Sequence, residues 1–324
     1  MTFIASVIAK RGVAIIADSL VTTKVPSIEL SEFLDFIKSE SDKSDSGEIK
    51  LDPNEIIKLF KSRPSYTKDY EEKLFKFDEY TAITTAGSAS INDKRIISLI
   101  DSEIRKNKQD KNYNRKGIET KVKNLCKSIE KEIKEHLKSK TSIRPTKFIV
   151  THYDKNKEQT VIYKVNVNSA SKEDLENDKF EFITYKKAND WEKVVCDGQN
   201  RTSEKILYGS LDEVYSLVPR LALKIIKDFN IKPDKVPSDY IKNLTNDKDV
   251  ISPNLFDDMK IFKLSELSLQ QAVDLASLFM RLEIDFQTYT ENIPTVGGVI
   301  KIGVIDKEGF RFLNGHEILK PNNV

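Results

Sequence analysis

Thr2-Phe3-Ile4-Ala5-Ser6-Val7-Ile8-Ala9 and Val13-Ala14-Ile15-Ile16-Ala17-Asp18-Ser19 are the stretches whose reading decides the fold. Phe3, Ala5, Val7 and Ala9 alternate with Ile4, Ser6 and Ile8, so both faces are largely apolar, as in a strand inside a covered sheet. Lys10-Arg11-Gly12 supplies a turn and Val13 to Ala17 a second apolar strand. Together they predict a buried hairpin that delivers Asp18 and Ser19 at its far end, close to Thr2. Thr2 carries the chemical interest. With Met1 removed, as the small Thr2 suits and as the lack of a preceding propeptide allows, one residue presents both a hydroxyl nucleophile and a free α-amine.

Outward from this hairpin the texture changes. Residues 24–72 are polar and charged, most of all Ser39-Glu40-Ser41-Asp42-Lys43-Ser44-Asp45-Ser46-Gly47, and read as a surface insertion. Two amphipathic helices are predicted within it: Ile28 to Ile37, and Pro53 to Phe60 with Asp52 as its cap. Lys73 to Asp78 and Tyr80 to Gly87 read as a second hairpin. A helical stripe then runs from Ile91 through Ile96, Ile97 and Ile100 to Ile104, and another from about Lys116 through Val122, Leu125, Ile129, Ile133 and Leu137. Strand signals follow at Phe148 to Thr151, Thr160 to Val167, Phe180 to Tyr185 and Val194 to Cys196, predicted as a further sheet layer. Helices are expected at Thr202 to Leu207, Leu211 to Phe229 and Leu267 to Asp285, with a Pro-containing insertion at 230–262. Val299 to Ile305 and Phe310 to Phe312 close the chain as strands. Strands and helices come in groups rather than in alternation, which argues for a layered α+β fold with antiparallel sheets. The reading is one domain, 1–324, with insertions at about 24–72 and 230–262.

Composition narrows the function classes. With 53 basic and 51 acidic residues the net charge is +2, which provides no field favouring nucleic acid or an anionic membrane. No run approaches the roughly 18 apolar residues of a membrane span, and no signal-peptide layout opens the chain, so a cytoplasmic protein is expected. Two cysteines, Cys126 and Cys196, form neither a disulfide framework nor a zinc pattern. The three histidines, His136, His152 and His316, are isolated from acidic and cysteine clusters, so neither a metal site nor a histidine triad is expected.

Taken singly, the chemistry-bearing residues have plain structural readings: Asp18 as a turn former, Lys73 as a solvated flank, Gly87 as a turn glycine. Their combination resembles the proteasome family of N-terminal-nucleophile hydrolases. Thr2 to Val7, Gly12 to Ser19 and Thr22 look like the opening of a catalytic β-subunit, with Asp18 sixteen residues after Thr2. Lys73-Leu74-x-x-Phe77-Asp78 and Ala86-Gly87-Ser88-Ala89 are similar to that family's lysine strand and glycine loop, with Gly87 fourteen residues after Lys73. Asp197-Gly198, Leu267-Ser268-Leu269-Gln270-Gln271-Ala272 and Gly297-Gly298-Val299-Ile300-x-Ile302 resemble its closing elements.

The resemblance implies a four-layer αββα sandwich and a threonine-peptidase mechanism without cofactor or metal. In it Thr2 is the nucleophile and its amine the base, Lys73 acts through its charge, Asp18 holds Lys73, and the Gly87 amide stabilises the oxyanion. By the same mapping Thr22 holds substrate backbone, while Val21, Phe75, Thr85 and Ala89 line an apolar specificity pocket. A polypeptide substrate, a homo-oligomeric ring and an ATPase unfoldase as partner are further implications. The chain departs from the family pattern at Leu20, where arginine is usual, and at Val296 and Ile293, where serine and aspartate are usual. Asp197, Thr295 and Asp285 are the candidates to replace that support for the Thr2 amine. Two competing readings are a catalytically silent scaffold subunit of the same fold and a small-molecule amidase using the same nucleophile.

Overall fold

The computed structural model describes residues 2–42, 51–68, 70–110, 112–113, 116–177, 179–208, 211–232, 236–237, 239–244, 264–290 and 293–313. The chain opens with β1 (Phe3–Ala9), β2 (Gly12–Ala17) and β3 (Val21–Ser27), followed by α1 (Leu30–Asp42), α2 (Pro53–Leu59) and β4 (Lys61–Lys68). Next come β5 (Leu74–Asp78), β6 (Thr81–Gly87), the short β7 (Ser90–Ile91) and β8 (Lys94–Arg95), then α3 (Ile96–Gln109) and α4 (Ile118–Ser139). β9 (Ser142–Ile143), β10 (Thr146–Asp154), β11 (Gln159–Val167), β12 (Ala170–Ser171), β13 (Ile183–Lys187) and β14 (Val194–Gly198) precede α5 (Arg201–Tyr208), α6 (Leu211–Asp228) and α7 (Tyr240–Asn243). α8 (Leu269–Thr290), β15 (Lys301–Asp306) and β16 (Gly309–Phe312) end the described chain.

The protein is a mixed α+β fold with two antiparallel five-stranded sheets, in the orders β14-β1-β2-β15-β16 and β13-β11-β10-β6-β5. The opening hairpin forms as predicted, with Ile4 opposite Ala17 and Ala9 opposite Gly12. Period-two alternation sorts its side chains into two apolar clusters. Phe3, Ala5 and Val7 join Ala272, Ala276 and Phe279 of α8, whereas Ile4, Val13 and Ile15 meet Leu74, Ala82 and Ile149 of the other sheet. The hydroxyls of Ser6 and Thr151 hydrogen-bond at 2.8 Å in this inter-sheet layer, so neither is left unsatisfied on burial. On the far side of the second sheet, Val122, Leu125, Ile129, Ile133 and Leu137 of α4 pack with Ile83, Phe148 and Val165. Each such aliphatic side chain contributes about 1.5–3 kcal/mol when fully buried.

Four expectations need correction. The strands after α4 do not form a layer of their own: β10, β11 and β13 extend the sheet of the second hairpin, and β14 crosses to pair with β1. Residues 24–72 are not only polar sequence and helices, because β3 and β4 pair as a ribbon from Val21↔Lys68 to Ser27↔Lys61. Pro26, Pro64 and interspersed lysines disguise that pairing, which also shifts register between Thr23 and Lys24. Ile91 is not part of a helix; Asn92 and Asp93, both at positive φ, turn β7 into β8, and the helix starts at Ile96. Phe180 and Phe182 precede their strand rather than belonging to it, stacking edge to face with ring centroids 5.1 Å apart.

The helices of the first insertion are observed, α2 with the expected Asp52 cap on the Asn54 N–H at 2.8 Å. α1 runs on to Asp42, into the polar and charged Ser39–Gly47 stretch, and residues 43–47 lie outside the described residues. Most of the 230–262 insertion, including 245–262, and His316 lie outside them too. No helix among the described residues is long and apolar enough to cross a membrane.

Candidate functional site

The hairpin sets the geometry of the site. Thr2 immediately precedes β1, where the pairs Phe3↔Gly198 and Ile4↔Ala17 place it between the end of β14 and the end of β2. It is 3% exposed, and its carbonyl accepts the Gln199 N–H at 2.6 Å. Gly198 has φ +89°, and a Cβ there would collide with the Thr2 carbonyl, so glycine is what lets β14 approach the Thr2 backbone.

Asp18 follows β2 and is buried. Its Oδ1 accepts the Phe3 N–H at 3.2 Å and Lys73 Nζ at 3.0 Å, and its Oδ2 accepts the Gly297 N–H at 3.1 Å. Lys73 Nζ also donates to the Leu20 carbonyl at 2.6 Å, and the Lys73 carbonyl accepts the Thr85 N–H at 3.0 Å. The expected Asp18–Lys73 partnership is therefore present, across 55 residues of sequence. Burial pushes the Lys73 ammonium below its ordinary range, against the pull of the Asp18 carboxylate, and burial pushes the Asp18 carboxyl up, against the pull of Lys73. The pair is held in a low-dielectric site where each charge depends on the other.

A cleft of about 480 Å³ opens over these residues. Seven of the nine sequence-predicted site residues line it: Thr2, Lys73 and Gly87, with Val21, Thr22, Thr85 and Ala89. Asp18 is not a lining residue and stands behind Lys73, in keeping with a supporting role. Phe75 is misplaced by the sequence reading. It belongs to the apolar cluster shared with α3 and α4, on the opposite face of β5 from Leu74, and does not line the cleft. Its place is taken by Ile96 and Ile97 at the start of α3, which the β7–β8 turn brings back to Ala89, whose carbonyl accepts the Ile96 N–H at 3.0 Å. Glu71, in an ion pair with Arg95, and Arg144 complete the rim.

Gly87 has φ +111°, a conformation closed to side-chain-bearing residues, and a Cβ there would lie 2.5 Å from the Pro145 carbonyl oxygen. Thr22 Oγ1 donates to the Pro294 carbonyl at 2.9 Å, tying β3 to the segment before Gly297. Of the three residues considered for supporting Thr2, Asp197 is engaged by Lys147 at 2.6 Å and by its neighbour's Gly198 N–H at 2.6 Å, and Asp285 is exposed on α8. Thr295 is fully buried and hydrogen-bonds Gln199, the residue that binds Thr2.

Among the described residues the histidines and cysteines lie outside the cleft. His136 accepts the Asn92 N–H at 3.0 Å and His152 pairs with Thr81 Oγ1 at 2.9 Å; neither lines the cleft. Cys126 and Cys196 are buried, and desolvation pushes both thiols up to about 12, so the native protein should resist a thiol reagent at pH 8 and react only when unfolded. Rapid modification of either cysteine in the folded chain, followed by absorbance, would contradict that expectation. Among the described residues no group of three or more His, Cys, Asp or Glu side chains is placed to hold a metal ion. No family model and no curated protein matches this chain.

Proposed function

We propose that the chain is a threonine-type peptidase of the proteasome-like N-terminal-nucleophile class, its two sheets and flanking helices making the four-layer αββα sandwich of that fold. The observation that carries the proposal is the convergence of Thr2, Lys73 and Gly87 on one cleft, with Asp18 buried behind Lys73. Processing before Thr2 frees its α-amine, whose ordinary pKa of about 8 suits a base near neutral pH. Thr2 Oγ attacks the scissile carbonyl carbon and its proton passes to the α-amine. The Gly87 amide receives the developing oxyanion, worth on the order of 3 kcal/mol when one such donor is well aimed. Collapse of the tetrahedral intermediate forms an ester on Thr2 Oγ and releases the amine product, which takes the proton from the α-ammonium. Water, deprotonated by the same amine, then hydrolyses the ester.

Lys73 contributes its charge, keeping the nearby amine neutral and the hydroxyl acidic, and two of its three hydrogens are committed to Asp18 and Leu20. Thr22 holds an extended polypeptide by strand addition. Val21, Ala89, Ile96 and Ile97 give the pocket an apolar wall, so an apolar side chain is preferred before the cleaved bond. Assembly into a homo-oligomeric ring, an ATPase unfoldase as partner and a cytoplasmic location belong to the same proposal. Exposed Leu217, Leu221, Leu223 and Ile225 on α6 support assembly.

The competing reading, a catalytically silent scaffold subunit, is favoured by Leu20 and Val296 standing where the family resemblance implies arginine and serine. Hydrolysis of fluorogenic peptides separates the two. The peptidase reading expects cleavage after leucine to exceed cleavage after aspartate by about tenfold or more, consistent with the 1–3 kcal/mol that pocket contacts contribute to discrimination. It also expects Thr2→Ala to remove the activity. No turnover by a chain whose Thr2 amine is shown to be free would favour the scaffold.

A further inference from the structure

Gln287 of α8 grips the chain segment that touches both halves of the site. Its Oε1 accepts the Thr295 N–H at 2.6 Å and the Val296 N–H at 2.9 Å, and its Nε2 donates to the Val296 carbonyl. Both Gln287 and Thr295 are buried, at 3% and 0% exposure, and three bonds from one amide fix its orientation. From this clamped segment two arms extend. On one, Thr295 Oγ1 hydrogen-bonds Gln199 Oε1, with Gln287 Oε1 at 3.2 Å, and the Gln199 N–H holds the Thr2 carbonyl at 2.6 Å. On the other, the Gly297 N–H holds Asp18 Oδ2 at 3.1 Å, Asp18 holds Lys73, and the Gly297 carbonyl accepts the Ser19 and Leu20 N–H groups at 3.1 and 2.9 Å.

A second tie runs from the same helix face. Glu283, one turn before Gln287, accepts the Ser203 N–H at 2.6 Å and Ser203 Oγ at 2.8 Å, anchoring the start of α5 just after Gln199. α8 thus holds the start of α5 through Glu283 and the Thr295–Val296 segment through Gln287.

We infer that Gln287, Thr295 and Gln199 form a positioning relay that holds the Thr2 nucleophile in register with the Asp18–Lys73 pair. The inference rests on the peptidase reading of the cleft and deepens it. The three residues touch neither substrate nor reacting atoms; they act through the backbone of Thr2 and through Asp18. Gln287 and Thr295 are buried, Gln199 is half-buried, and Thr295 bonds to both, so the relay transmits position rather than protons.

The test is acylation of the full chain by a peptide β-lactone, with the labelled residue mapped by mass spectrometry and the maximal labelling rate separated from the probe's binding constant. Thr295→Val removes the hydroxyl at nearly constant volume. It should lower the maximal rate about 100-fold, the scale of a nucleophile misplaced by about 1 Å, with the binding constant unchanged. Thr295→Ser keeps the hydroxyl and should restore the rate to within about threefold of wild type. If Thr295→Val does not fold, Gln199→Met carries the test, since Gln199 is half-buried and its side chain forms the same link. Wild-type labelling at Thr2 with an unchanged rate in the folded variant overturns the relay alone. A loss that Thr295→Ser does not rescue also overturns it. A wild-type chain that is not labelled at Thr2 overturns the peptidase reading and the relay with it.

Discussion

Lys73→Met is expected to abolish peptide hydrolysis and to cost about 3–5 kcal/mol of stability, because it strands the Asp18 carboxylate in a site with almost no solvent access. The companion experiment is more informative. Asp18→Asn combined with Lys73→Met removes both charges, and replacing a buried pair by neutral groups is commonly neutral or stabilising. The double variant should therefore recover part of the lost stability, the introduced amide having one acceptor oxygen for the Phe3 and Gly297 N–H groups, and none of the activity. The pKa directions agree on sign. The Asp18 carboxyl lies above its ordinary value, so its contribution to stability is present at low pH and lost as pH rises through the folded value. The Lys73 ammonium lies below its ordinary value, so its contribution is present at high pH and lost as pH falls through the folded value. Between those two folded values the charged pair carries a net cost of burial, and there the double variant should gain most over the singles. Urea midpoints across pH, read beside turnover, check both halves. A double variant as unstable as Lys73→Met would show that packing of the lysine stem, not charge, holds this region.

Gly87→Ala has the other large effect. At φ +111° the added Cβ meets the Pro145 carbonyl oxygen at 2.5 Å and the Thr146 Cα at 3.0 Å, both backbone atoms that cannot rotate away. The unfavourable backbone conformation costs about 1–2 kcal/mol, and forcing the overlap apart costs about 1–3 kcal/mol more. The Gly87 amide must move in the process, so turnover should fall by at least about 100-fold, the usual scale for loss of one oxyanion donor. Gly117→Ala is the matched control: its φ of −63° suits any residue and nothing lies near its Cβ, so the only cost expected is up to about 1 kcal/mol for replacing glycine at the N-cap of α4, with turnover unchanged. Thermal unfolding and peptide turnover of the two variants separate strain at Gly87 from any general intolerance of glycine replacement.

Much of this architecture is legible in local sequence, and the reason is periodicity. The opening hairpin and the α4 stripe bury side chains at spacings of two and of three to four residues, so local pattern and tertiary burial agree. Where the outcome depends on distant partners, local pattern fails. Nothing near Val194 indicates that β14 leaves its preceding strands to pair with β1, because that choice is made by the inter-sheet core. Phe75 follows Lys73 on the same face of β5, but it enters the apolar cluster with α3 and α4 instead of the cleft, a burial that only the tertiary fold decides.

The site divides in the same way. Thr2, Asp18, Lys73 and Gly87 are marked by residue type and by their resemblance to a known pattern. Ile96, Ile97, Gln199, Gln287 and Thr295 carry no such mark, since glutamine and threonine are ordinary helix and loop residues until a fold brings them together. One signal was available: Asn92-Asp93 is a dipeptide suited to a tight hairpin turn, and reading it would have placed the start of α3 beside the cleft.

The central claim is that Thr2 is an N-terminal nucleophile, and the most direct measurement is mass-spectrometric mapping of the purified chain before and after reaction with a hydroxyl-acylating peptide probe. The account predicts a chain beginning at Thr2 with a free α-amine, and a single adduct on Thr2 that disappears in Thr2→Ser only by transfer to the new hydroxyl and in Thr2→Ala altogether. A chain that retains Met1, or an adduct elsewhere while the Thr2 amine is free, would contradict it.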